Sequence, residues 1–183
     1  MSTPTILGAV VLTGLPGAGK THLALALAAA QQAIGIPTFV LHTDILKVTL
    51  RHVFPEELKG PGYAPDFECK VATVRPYLEA HAAKARRDRY GLIIEGTLAL
   101  GFFPEPGLHV TLTLPEAERR RRIVRKADAA RSAIATANLA SYSHALATQQ
   151  HPTLRILPAD QPVDVLVSQV QTWWSGLSSR VRH

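Results

Sequence analysis

Apolar residues fall into short blocks along the chain, and the spacing within and between them predicts an order of elements. The block Ile6–Thr13 reads as a buried strand, and the Leu- and Ala-rich segment Lys20–Ala33 as a helix. Thr38–His42 reads as a second strand and Asp44–Val53 as a short helix. Pro55, Pro61 and Pro65 with Gly60 and Gly62 make Phe54–Pro65 a loop. Phe67, Val71, Val74 and Leu78 recur at helical spacing, predicting a long helix to about Arg89. Pro76 lies inside that pattern and predicts a kink or break there. Leu92–Glu95 and Leu108–Leu114 read as strands, Glu116–Lys126 as a basic helix and Ala130–Thr148 as another helix. Leu154–Leu157 is the last predicted strand, and a helix follows from Val163 to about Leu177. Apolar strands alternating with helices predict an α/β fold: a five-stranded, mostly parallel sheet with helices on both faces. In such sheets ligands sit at the carboxyl ends of the strands.

Composition narrows this picture. With 183 residues, 46% apolar and 19% charged, the chain predicts one domain over 1–183 with a proper core, and a disordered chain is excluded. A single cysteine, Cys69, excludes an intramolecular disulfide framework and a Cys-rich zinc module. The longest apolar run, Leu23 to Ala30, is too short for the roughly 20 residues of a membrane span. The apolar run Ile6–Leu12 lacks the basic flank of a signal peptide. The expectation is a soluble, cytoplasmic protein that does not engage a membrane. The eight histidines show no metal-ligand spacing and read as surface or core residues. Trp173 and Trp174 read as packing on the sheet.

One segment carries explicit chemistry. Gly14-Leu15-Pro16-Gly17-Ala18-Gly19-Lys20-Thr21 matches G-x-x-x-x-G-K-[ST] in full, between an apolar strand and a helix, the context that motif requires. Its glycines let successive backbone N–H groups turn inward on phosphate oxygens, and the helix N-terminus adds its positive dipole end. Lys20 can bridge β- and γ-phosphates, and the Thr21 hydroxyl can ligate Mg²⁺. These eight residues and His22 form the candidate nucleotide-binding set, and they imply a nucleoside triphosphate with Mg²⁺.

Polar residues at the other strand ends then gain interest. Asp44, Lys47 and Arg51 lie at i, i+3 and i+7 and share one helix face. Asp44 is either a plain helix cap or a carboxylate that takes a hydroxyl proton, with Lys47 and Arg51 holding an anionic group on an acceptor. Glu95 ends the third strand, where a carboxylate suits either a base or the holding of a metal-bound water. Gly96 allows the backbone to approach a ligand, and Thr97 offers a hydroxyl. The net charge of +6 is concentrated between Glu116 and Arg131, where seven basic and three acidic residues leave +4. Such a segment is either a solvated face or an arginine-rich lid over 116–131 that neutralises phosphate charge. Helical spacing selects Arg119, Arg122 and Arg125 as the inward set. The turn Leu157-Pro158-Ala159-Asp160 is placed to brush a nucleobase or to serve as a turn only.

Gly14–Thr21, Asp44 at the end of strand two, Ile93-Ile94-Glu95-Gly96-Thr97-Leu98 and the arginine-rich segment together resemble the P-loop small-molecule kinases. Within them the chain looks most like the zeta-toxin kinases, with 2-phosphoglycerate kinase and chloramphenicol phosphotransferase as cousins. The resemblance spans roughly residues 6 to 131. It implies a P-loop NTPase fold and transfer of the ATP γ-phosphate to a hydroxyl of a small-molecule acceptor. It further implies Asp44 as the base, Lys20 and Thr21 as triphosphate and Mg²⁺ contacts, and Arg119 to Arg125 as the lid. Two other classes are compatible with the loop alone. A kinase of polynucleotide ends or tRNA would use the basic balance. A regulatory NTPase fits less well, because strand three lacks Asp-x-x-Gly and Arg125-Lys126-Ala127-Asp128 lacks the Asn of N-K-x-D.

Overall fold

In the computed structural model, residues 8–60, 66–126 and 139–180 are described. Strands β1 (Ala9–Gly14), β2 (Thr38–His42), β3 (Gly91–Glu95), β4 (Gly107–Thr113) and β5 (Leu154–Pro158) form one sheet in the order β2-β3-β1-β4-β5. Every pair is parallel, so the expected "mostly parallel" sheet is wholly so. Among the described residues the helices are α1 (Lys20–Ala33), α2 (Thr43–Leu50), α3 (Phe67–Asp88), α4 (Glu116–Lys126), α5 (Ala140–Thr148) and α6 (Val163–Arg180), with one 3₁₀ turn at Thr97–Ala99.

Alternation along β1 divides the core in two. Val10 and Leu12 face α1 and α6, meeting Leu23, Leu27, Leu166, Val170 and Trp174. Ala9 and Val11 face the opposite layer with Leu92, Ile94, Val74 and Leu78 of β3 and α3. All of β1 and β3 is buried, which is why both read as unbroken apolar blocks rather than alternating ones. Trp174 is buried in the first layer, as the sequence predicts.

Local chemistry sets the boundaries. α1 ends where Gly35 turns left-handed (φ 81°) and the Ile36 N–H reaches back to the Gln31 carbonyl. α3 ends on Arg89, a non-glycine residue at φ 59°, while the Tyr90 N–H bonds the Ala85 carbonyl. α3 does not break at Pro76; it runs on as one helix to Asp88. Pro76 faces solvent, so the missing N–H costs one exposed rung, and the buried stripe Phe67, Val74, Leu78, Ala85 anchors both halves.

Other expectations shift by a few residues. β1 starts at Ala9, and β4 covers Gly107–Thr113 rather than reaching Leu114. α2 stops at Leu50, with turns through Val53 instead of helix. α6 continues to Arg180. Of the helix expected over Ala130–Thr148, Ala140–Thr148 is seen, while 130–138 lie outside the described residues, as do 61–65 of the expected loop.

Candidate active site

Because all strands run the same way, Gly14, His42, Glu95, Thr113 and Pro158 end at one edge of the sheet. The loop after β1 emerges there, at the point where α1 leads away to β2 while β4 and β5 lie on β1's other side. Gly14, Gly17 and Gly19 have φ of 138°, 86° and 96°, conformations that carry no side chain cheaply. The Ala18 N–H closes a turn on the Leu15 carbonyl. Lys20 opens α1 and folds back over the loop, its ammonium donating to the carbonyls of Gly14 (3.0 Å) and Leu15 (3.2 Å). Burial lowers the Lys20 ammonium from its ordinary value, while Glu95 and Asp44 pull the other way. Both carboxylates therefore lie within electrostatic reach of this lysine. His22 is exposed one residue beyond Thr21, on the first turn of α1.

Glu95 is the hub of the edge. It is buried, and its Oε1 accepts from Thr21 Oγ1 at 3.2 Å and from His42 Nδ1 at 2.7 Å. The sheet register makes this meeting unavoidable, since His42 and Glu95 are direct partners between β2 and β3. His42 thus belongs to the site, whereas spacing alone left it among the unassigned histidines. No long-range signal in the sequence pairs it with Glu95; only strand register does.

Gly96 plays a different part from the one expected. Its φ is 128°, and a Cβ there would fall inside the contact distance of Thr43 Oγ1. The close approach is made by the Thr43 side chain, so Gly96 seats the head of α2 against β3 and fixes where Asp44 stands. Asp44 is exposed in the first turn of α2. Thr97 is buried at the start of the 3₁₀ turn. Lys47 is half-buried and its ammonium donates to the Gly60 carbonyl, while Arg51 is exposed just past the end of α2.

The arginine segment is drawn onto the loop more firmly than a solvated face would be. Arg119 is buried; its Nε and Nη2 each meet Glu116 at 2.7 Å, and its Nη1 donates to the Pro16 carbonyl at 3.2 Å. A Cβ on Gly17 would lie 2.9 Å from Ile123 Cγ1, so α4 packs directly on the loop backbone. Arg122 donates to Glu118 (3.0 Å) and to the Ala159 carbonyl (3.3 Å), with Nη1 beside Gly19. Arg120 and Arg121 pair with Glu116 and Glu118 on the outer face. The side-chain bonds from Arg119 and Arg120 hold the Glu116 carboxyl down to about 2. Arg125 lies on α4, but its side chain is outside what is described, and residues 127–138 with Arg131 lie outside the described residues.

Tyr142, Thr13 and His109, absent from the predicted set, complete the loop's surroundings. Tyr142 of α5 is fully buried, stacks edge-on against Phe67, and its hydroxyl reaches the Gly14 carbonyl at 3.4 Å. Thr13, just before the loop, bonds His109 Nε2 at 2.8 Å, while His109 Nδ1 meets the Phe102 carbonyl at 3.0 Å. A carbonyl only accepts, so Nδ1 carries the proton and Nε2 accepts from the Thr13 hydroxyl. His109 is neutral, and burial lowers it from 6.5 to about 4.

Among the described residues no group of three or more His, Cys, Asp or Glu side chains is arranged to cage a metal. The Thr21 hydroxyl and Glu95 carboxylate are hard oxygen donors meeting at 3.2 Å. That set fits Mg²⁺ held chiefly by phosphates and water rather than by a protein cage.

Comparison with known proteins agrees with this fold. The profile of a family described as an AAA domain, AAA_18, matches residues 10–135. No curated protein matches the sequence. An unliganded sugar kinase from Janibacter sp. HTCC2649 superposes with a TM-score of 0.59 at 18% identity, over 91% of this chain and 93% of that one. The APS kinase CysC of Mycobacterium tuberculosis, in complex with AMPPNP and APS, gives 0.55 at 17% identity over 91% and 96%. A gluconokinase from Sinorhizobium meliloti 1021 gives 0.53 at 16% identity over 96% of each chain. The fold is the P-loop α/β fold of these structures.

Proposed function

From the premise that the chain belongs to the AAA-domain family AAA_18, we propose that it is an ATP- and Mg²⁺-dependent phosphotransferase acting on a hydroxyl of a small-molecule acceptor. The observation that carries this reading is the grouping of Lys20, Thr21 and Glu95 with Asp44 at one strand edge. The loop alone would bind nucleotide; a second carboxylate at the head of the neighbouring helix gives the γ-phosphate somewhere to go. The sugar kinase, APS kinase and gluconokinase similarities support the same class, as does the resemblance to zeta-toxin kinases, 2-phosphoglycerate kinase and chloramphenicol phosphotransferase.

In this reading Lys20 exchanges the Gly14 and Leu15 carbonyls for the β- and γ-phosphates, and the loop's N–H groups hold the remaining oxygens. Thr21 and Glu95 would hold Mg²⁺, which supplies charge neutralisation when bound. Asp44 accepts the acceptor's hydroxyl proton. The acceptor oxygen attacks the γ-phosphorus, the bond to the β–γ bridging oxygen breaks, and ADP leaves with that electron pair. Arg122, beside Gly19, counters charge on the transferring group. Arg119 holds the loop through Pro16. Thr97 lines the acceptor side.

A nucleic-acid kinase is less well supported. Each of the four consecutive arginines is engaged by Glu116, Glu118 or a backbone carbonyl, so donors that would meet a nucleic-acid backbone are already committed within the chain. The test is a labelled-ATP screen over a metabolite library, with Lys20→Ala as the blank. Transfer to one or a few small hydroxyl compounds, lost in Lys20→Ala, is the expected result. No calorimetric heat from Mg–ATP, or Asp44→Asn with wild-type transfer to the true acceptor, would overturn the assignment.

A further inference from the structure

The buried stripe of α3 runs Phe67, Lys70, Val74, Leu78, Ala85: a helical core face with one lysine in it. The Lys70 side chain has no exposed surface. Its one partner among the described residues is Asp66 Oδ1 at 2.5 Å, a carboxylate that is itself 44% exposed. An ammonium has three donors, and among the described residues only one of them is taken up. Asp66 stands at the N-cap position of α3 but bonds Lys70 rather than capping the helix.

Stability alone does not account for this lysine. A methionine or leucine would fill the same stripe without taking a charge out of water, and exchanges of that kind are often neutral or stabilising. Position is the better explanation. α3 leads back into β3, parallel to its neighbours, so its first turn lies at the carboxyl edge of the sheet, the edge that holds Lys20, Asp44 and Glu95. Lys47 reaches the same space from α2. Burial lowers its ammonium, Lys70 and Arg51 push it further down, and Asp44 and Asp66 pull it back. Asp44, Lys70, Arg51 and Asp66 thus all lie within electrostatic reach of Lys47, and Asp44 is the one assigned to the acceptor hydroxyl.

We propose that the acceptor carries an oxyanion, a carboxylate, sulfate or phosphate, seated between Lys70 and Lys47 while its hydroxyl faces Asp44. This rests on the kinase reading and narrows it to anionic alcohols. The bound oxyanion takes the donors that Asp66 leaves free and separates two like charges. Lys70 is then a specificity determinant, invisible in the sequence because it occupies a core position of a helix.

Two measurements test the proposal. The first is Mg–ATP-dependent transfer to matched pairs: glycerol and glycerate, glucitol and gluconate, glucose and glucose 6-phosphate. The anionic member should have at least a 100-fold higher kcat/KM. Lys70→Met should raise the acceptor KM at least 30-fold and leave kcat and the KM for ATP within threefold. Equal use of a neutral member, with no effect of Lys70→Met, would overturn it. The second uses inorganic sulfate and needs no turnover. Backbone amide signals of residues 44–48 and 66–71 should shift saturably in the wild type and not in Lys70→Met, while shifts in loop 14–21 persist in both. Shifts confined to the loop would overturn the site. Absence of transfer to every acceptor would instead refute the kinase reading, and the sulfate result would still decide whether Lys70 builds an anion site. Lys70→Met should melt no lower than the wild type, which separates a recognition role from a structural one.

Discussion

Single residues at the strand ends carry most of the chemistry, and they divide by how they can be recognised. Lys20 and Thr21 are visible in sequence because a phosphate-gripping loop needs a contiguous run of glycines. Asp44 and Glu95 are visible because an acid after an apolar strand is conspicuous. His42, Thr43 and Lys70 are not, since each takes its meaning from a partner more than twenty residues away or from burial. Gly96 shows the difference. Its identity suggests room for a ligand; its surroundings show room for Thr43. Gly96→Ala combines a strained φ with a clash against a buried side chain, and should cost about 2 kcal/mol or more in urea denaturation. The same variant should lower transfer activity, because Asp44 is displaced with α2. Asp44→Asn should lower kcat by roughly 100-fold or more while Mg–ATP still binds, as titration calorimetry would show.

Elements follow periodicity closely, and departures mark where packing overrides local preference. The β1, β3 and β4 blocks are legible because central parallel strands are buried on both faces. Pro76 misleads because tertiary anchoring of α3 outweighs the loss of one hydrogen bond. At Arg89 the helix ends where the spacing places it, although no glycine announces the left-handed turn the chain makes there. Arg89→Gly should raise stability by up to about 1 kcal/mol, measured by the urea midpoint, since glycine adopts that conformation without the Cβ conflict. The basic helix α4 was legible as a helix but not as the support of the nucleotide loop. Arg119→Met removes the bond to Pro16 and leaves Glu116 without its two-point partner. It should raise the KM for ATP several-fold and speed amide exchange over residues 14–19, with a stability loss of about 1–2 kcal/mol.

At the scale of the whole molecule, stability has a pH dependence that begins at one buried ring. His109 is neutral when folded and depressed from 6.5 to about 4. Between those values the unfolded chain binds the extra proton, so stability rises with pH and the full contribution is present above about 6.5. Acidification from pH 7 to pH 4 should remove up to about 3 kcal/mol. A His109→Gln variant should show a flatter urea midpoint over that range, while a slope equal to that of the wild type would place the effect elsewhere. The layer that covers the loop from behind leads to a practical consequence. The family match ends at residue 135, but Tyr142 touches Gly14, and Trp174, Val170 and Leu166 cover the face of α1 that Leu23 and Leu27 present. A truncated version stopping at the end of the match would bare a leucine-rich surface beside the nucleotide loop. Expression trials that trim the protein to the matched segment should therefore yield insoluble material, and soluble product should return only when the chain extends through Trp174.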